Sequence, residues 1–150
     1  MHWPARIPAG QVSDQSCASM DIVPTVLEAV GADASQYEID GTNLLPHVAN
    51  GDDLEERAIF WEMEGQTAVR KGKWKLVLNG QLVEHTEAVA EIHLSDVEND
   101  PGETANLADS EPEITAELKR LAEDWRAGIE KRWEDEYSEI DHEYIAHGMV

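Results

Sequence analysis

An α+β fold is what this sequence predicts: a small antiparallel sheet packed by a C-terminal amphipathic helix, preceded by one helix and loops. Three observations carry that expectation. The runs Thr67-Ala68-Val69-Arg70 and Trp74-Lys75-Leu76-Val77-Leu78 flank Lys71-Gly72-Lys73, the pattern of a hairpin. Ile114, Leu118, Leu121, Ala122, Trp125 and Ile129 recur at helical spacing, forming one apolar stripe suited to docking on a sheet. Val23, Val26, Leu27 and Val30 repeat the helical period nearer the start.

Element by element, residues 1–18 are punctuated by Pro and Gly and read as extended chain and turns. Asp21 offers an N-cap to the first helix, Pro24 is tolerated in its first turn, and Gly31 is placed to close it. Residues 32–57 read as loop with a short helical turn near Leu44. Ala58-Ile59-Phe60-Trp61 has strand composition and precedes the hairpin. Asn79-Gly80 reads as a second turn leading to a strand around Leu82-Val83, and Ile92-His93-Leu94 completes the sheet. In Asn99-Asp100-Pro101-Gly102, side-chain acceptors, a fixed φ and a glycine able to take up left-handed strain predict a tight turn leaving a strand. Ser110 and Glu113 have capping-box spacing at the start of the last helix, and the chain from Glu134 onward is an acidic, weakly patterned tail.

The charge balance excludes some partners. Asp+Glu number 32 against Lys+Arg 11, a formal net charge of -21 over 150 residues. Nucleic acid and anionic membranes need basic patches, so neither is expected. Adaptation to high salt and an ordinary acidic surface account equally well for such a balance. One cysteine, Cys17, rules out an internal disulfide. No apolar run approaches the roughly 20 residues that span a bilayer. No secretory signal is visible at Met1-His2-Trp3-Pro4, which favours the cytoplasm and otherwise leaves the compartment open.

Five further segments stand in a telling order: Trp3-Pro4-Ala5-Arg6-Ile7-Pro8-Ala9-Gly10, Asp21-Ile22-Val23-Pro24-Thr25-Val26-Leu27, Asp40-Gly41-Thr42-Asn43-Leu44-Leu45-Pro46, Phe60-Trp61-Glu62-Met63-Glu64-Gly65 with Ala68–Val77, and Asp96–Leu107. Together they resemble the C-terminal part of the sulfatases, the arylsulfatase-like branch of the alkaline-phosphatase superfamily, from Trp3 to about Trp125. The resemblance implies that residues 1–57 are the tail end of a large, here incomplete, α/β domain. Residues 58–133 would then be the C-terminal sheet-plus-helix subdomain, with 134–150 the acidic tail. It also implies a complete enzyme that cleaves sulfate esters with formylglycine and Ca2+.

No catalytic and no metal-binding residue is expected on this chain. Sulfatases make formylglycine within C-x-P-x-R or C-x-A-x-R, whereas Cys17 is followed by Ala18, Ser19, Met20 and Asp21. Asp52-Asp53 is the only adjacent aspartate pair; it lies in a polar loop and matches no family ligand. His142 and His147 lie five apart in the tail, where a frayed end is the simpler reading. Arg70, Lys71, Lys73 and Lys75 form the one basic cluster, read as hairpin lysines that blunt an exposed edge in preference to a sulfate attractor. Trp61, Trp74 and Trp125 sit within strand or helix periodicity and are expected in the core.

Contact with substrate is assigned to a rim formed by Glu62, Met63 and Glu64. In many relatives the position of Met63 is histidine, beside the mouth of the active site; methionine can neither exchange a proton nor make a charge-assisted bond to sulfate. The expected function is therefore a scaffold fragment of a sulfuric ester hydrolase, inactive alone. It would be completed by a missing N-terminal catalytic half or by self-association. The alternative is a non-enzymatic interaction module that docks on a separately encoded catalytic half.

Overall fold

The computed structural model describes residues 1–63, 65–80 and 90–137. The chain divides into two compact units, Met1–Glu56 and Arg57–Val150.

In the first unit a 3-10 turn at Ser19–Asp21 runs into helix α1, Ile22–Ala29. Asp21 is fully buried, but it does not cap the helix as the sequence suggested. One carboxylate oxygen accepts from the Ala18 amide and the other from the Thr42 amide, both at 2.8 Å. One turn on, the Thr25 hydroxyl donates to the Asp21 carbonyl at 2.6 Å and accepts from the Leu44 amide at 2.9 Å. A buried carboxylate demands such donors. The polar Asp21–Thr25 face therefore turns inward, and the stripe predicted from apolar spacing turns out: Val23, Val26 and Val30 are 55%, 52% and 72% exposed. Gly31, at φ 70, closes α1 as expected, its amide reaching the Glu28 carbonyl while that of Ala32 reaches Leu27. Helix α2, Leu45–Asn50, is the short turn expected near Leu44. Leu44 and Leu45 are buried beneath it.

The second unit is a four-stranded antiparallel sheet in the order β1-β2-β3-β4: Ala58–Met63, Gln66–Lys71, Trp74–Gly80 and Ala90–Asp96. Helix α3, Pro112–Glu136, lies on one face. Register aligns Phe60, Val69, Leu76 and Leu94 in one cross-strand row. Val69, Leu76 and Leu94 pack with Leu118 and Ala122 of α3 to form the core. Phe60 stacks on Trp125, ring centroids 5.1 Å apart. Burying Leu76 completely makes it a position where truncation to Ala costs about 2–5 kcal/mol.

Several details differ from the sequence-based expectation. Asn79-Gly80 does not turn; both residues continue β3, with Asn79 at φ 55, and the expected strand at Leu82-Val83 lies outside the described residues. Trp61 is 46% exposed, because strand alternation sends it to the face opposite its neighbour Phe60. The basic hairpin blunts no edge, since β2 and β3 are the two inner strands. In the 96–107 turn the left-handed residue is Glu103, at φ 52, and not Gly102. Asp100 organises that turn by accepting from the amides of Thr104 and Ala105. No side chain caps α3: the Ser110 hydroxyl donates to the Leu107 carbonyl, and Pro112 supplies the preset φ of the first turn. The helix also runs through Glu136, into the segment expected as tail.

The edge of β4 is covered. The Asn106 carboxamide accepts from the Leu94 amide and donates to the Ile92 carbonyl, and the Leu107 amide donates to the Leu94 carbonyl. The side chain thus stands in for a missing strand and removes a pairing hazard.

Candidate functional site

The rim residues sit at the end of the β1–β2 hairpin, where Met63 pairs with Gln66. Glu62 faces α3 and forms an ion pair with Arg126, whose guanidinium also donates to Glu130 at 2.8 Å. Glu130 first and Glu62 second hold that guanidinium above its ordinary value. Glu62 thereby ties the hairpin to the helix beside an open cavity of about 470 Å3 that Ile129 and Trp133 also line. Met63 is half exposed and offers a soft thioether. Glu64 lies outside the described residues, as do His142 and His147.

The basic cluster is mostly neutralised. Lys71 pairs with Glu117 on α3, Lys73 with Asp96 and Lys75 with Glu103, at 2.6, 2.7 and 2.6 Å. Lys73 also lies 4.4 Å from the ring centroid of Trp74, a cation–π contact at the margin of the core. Asp96 is held down at about 2 by the Lys73 ammonium and the Asn99 carboxamide. Lys71 lowers Glu117, and the amides of the 104–105 turn lower Asp100. Arg70 differs. Its Nε donates to the Gly72 carbonyl at 3.0 Å, and among the described residues no carboxylate pairs with it. It lines a groove of about 520 Å3 with Trp61, Ala68, Lys75, Pro101 and Glu103. The strand pattern already implied that Trp61, Ala68 and Arg70 share a face; Glu103 carried no such signal, because it arrives from a turn 28 residues beyond Lys75.

Among the described residues neither a formylglycine precursor motif nor a Ca2+ ligand set is present. The Cys17 thiol is exposed and donates to the Gln15 carbonyl at 3.3 Å, in a sequence with no following arginine of the required motif. The Asp52 carboxylate accepts from Asn50, and no group of three or more His, Cys, Asp or Glu converges among the described residues. A further pairing in the first unit carried no signal in the sequence. The His47 ring bridges the Asp52 carbonyl and the Ser13 hydroxyl, each at 2.7 Å, with Nδ1 donating to the carbonyl and Nε2 hydrogen-bonded to the hydroxyl. None of the described helices is long and apolar enough to cross a membrane.

The family model for N-sulphoglucosamine sulphohydrolase, C-terminal, matches residues 1–128. Arylsulfatase A of Bos taurus is 30% identical over 135 residues, covering 77% of this chain and 26% of that protein. Human arylsulfatase A is 29% identical, covering 79% and 28%. The crystal structure of Ps i-CgsB in complex with k-i-k-neocarrahexaose superposes with a TM-score of 0.65 at 25% identity, over 83% of this chain and 27% of that one. The chain therefore spans about a quarter of the length of these relatives.

Proposed function

This chain belongs to the sulfatases, matching their C-terminal region, and from that premise we propose that it is the scaffolding part of a sulfuric ester hydrolase and is inactive alone. The observation that carries the proposal is the bare apolar face of α1. Val23, Val26 and Val30 are more than half exposed on a helix whose opposite face is anchored by Asp21 and Thr25. Such a stripe on a 150-residue chain of net charge -21 is a surface awaiting cover, and the catalytic part of a sulfatase is the occupant in keeping with the family. Formylglycine and Ca2+ would belong to that part. This chain's contribution would be a rigid sheet-and-helix unit presenting the hairpin of Glu62 and Met63 toward the rim of the site.

The test is turnover. The purified chain is expected to release no sulfate from an aryl sulfate above buffer, with or without Ca2+. Turnover that survives purification and disappears on a point substitution within this chain overturns the proposal. A second reading, a non-enzymatic module that docks on a separately encoded catalytic half, draws on the same bare face of α1.

A further inference from the structure

On the sheet face turned away from α3, several features coincide. Arg70 and Lys75 stand directly opposite each other across β2 and β3, a like-charge pair that antiparallel sheets disfavour. Lys75 is compensated by Glu103, and that carboxylate is delivered by a non-glycine residue at φ 52. Left-handed backbone in such a residue persists only where its surroundings enforce it, and it concentrates at functional sites. Arg70 is left without a carboxylate among the described residues. Beside it Trp61 holds an indole 46% exposed, and Ala68, its cross-strand partner, leaves the groove floor empty. The volume, about 520 Å3, falls within the roughly 300–1,000 Å3 of small-molecule sites.

We propose that this groove binds a sulfated sugar, with Arg70 taking the sulfate oxygens and Trp61 stacking against the ring. The Arg70 guanidinium, whose outer nitrogens have no hydrogen-bond partner among the described residues, presents a planar fork to an oxyanion. An exposed indole offers a flat apolar platform with a polar edge. Glu103 occupies the Lys75 ammonium, which leaves Arg70 as the cation of the groove with no carboxylate partner among the described residues. The choice of sulfate over other oxyanions rests on the sulfatase reading; the groove itself does not.

Direct binding to the whole chain tests this, followed by NMR of the indole N–H signals, with Trp61 identified by Trp61→Phe. The probes are N-acetylgalactosamine 6-sulfate, N-acetylgalactosamine and inorganic sulfate. The sulfated sugar is expected to shift the Trp61 signal and to bind about tenfold tighter than the unsulfated sugar. Arg70→Gln should lose about tenfold, and Arg70→Lys should keep part of the affinity. Trp61→Ala should weaken the sulfated sugar several-fold and leave inorganic sulfate unchanged. Circular dichroism establishes that each variant is folded, and Trp61→Ala, at a half-exposed site, serves should Arg70→Gln fail to fold. Equal affinity for sulfated and unsulfated sugar overturns the proposal. So does inorganic sulfate binding as well as the ester, or a folded Arg70→Gln that binds normally. Because the readout is binding and not turnover, catalytic activity of the isolated chain would defeat the scaffold reading and leave these ratios intact.

Discussion

Gly41→Ala should unfold the first unit and leave the second untouched. Gly41 has no left-handed φ to protect; its constraint is space. A Cβ there would overlap the Met20 carbonyl oxygen and lie 2.5 Å from the carbonyl carbon and 2.9 Å from the Asp21 amide nitrogen. All three are backbone atoms of the turn that aims the Asp21 carboxylate, so no side chain can swing aside. Overpacking of this kind costs about 1–3 kcal/mol. The displaced 41–44 segment also loses the bond from the Thr42 amide to the buried Asp21 carboxylate, which adds about 1–3 kcal/mol. The unit runs from Met1 to Glu56, and at about 0.05–0.15 kcal/mol per residue its whole stability is roughly 3–8 kcal/mol. A combined loss of roughly 2–6 kcal/mol is comparable to the whole. Amide NMR is the assay: signals of Thr42 and Leu44 should collapse toward random-coil positions while those of Val69, Leu76 and Leu94 stay fixed. Gly31→Ala is the control, since its φ of 70 is strained for alanine but nothing lies within 4 Å. It should cost only about 1 kcal/mol. Native Thr42 and Leu44 signals in Gly41→Ala, or a larger effect at Gly31, would refute the steric account of this motif.

Acid titration should single out Asp96. Lys73 and Asn99 hold its folded value near about 2 against an ordinary 3.8, so its contribution is complete above the ordinary value and is lost as pH falls through the lower one. Asp96→Asn should be less stable at neutral pH and show a flatter acid limb across that window; an acid limb identical to the parent's would remove Asp96 from the account. Hydrogen exchange should divide the chain. Fast exchange is expected through Asp21–Val30, whose apolar face is bare, and slow exchange through Trp74–Leu78 and Leu118–Trp125, which enclose the core. Equal protection in all three would favour the interaction-module reading.

Short-range pattern made much of this protein legible. The spacing of Ile114, Leu118, Leu121, Ala122 and Trp125 sufficed for α3 and the face it buries, and Gly72 between two alternating runs sufficed for the central hairpin, whose ends pair at Lys71 and Trp74. Signals that depend on which partner a side chain finds misled. Ser110 and Glu113 spell a capping box, yet the Ser110 hydroxyl finds the Leu107 carbonyl instead. Asn79-Gly80 spells a turn, yet β3 continues because β4 pairs with it as far as Ala90. Of the rim, the sequence offered Glu62 and Met63 as a loop after the first strand but could not foresee that they end a hairpin or that Arg126, on another element, would claim the Glu62 carboxylate.

By itself, then, the sequence determined the class of fold, the order of its elements and the family, because these follow from periodicity and from motifs read along a continuous chain. Only the tertiary structure decided which face of β1 and of α1 is covered. Period-2 alternation separates Phe60 from Trp61 without saying which meets α3, and helical period groups Val23, Val26 and Val30 without saying whether they turn inward. The deciding contacts join residues far apart in sequence, Asp21 with Thr42 and Lys75 with Glu103, and the cost of leaving a buried polar group unpaired outweighs the apolar pattern nearby.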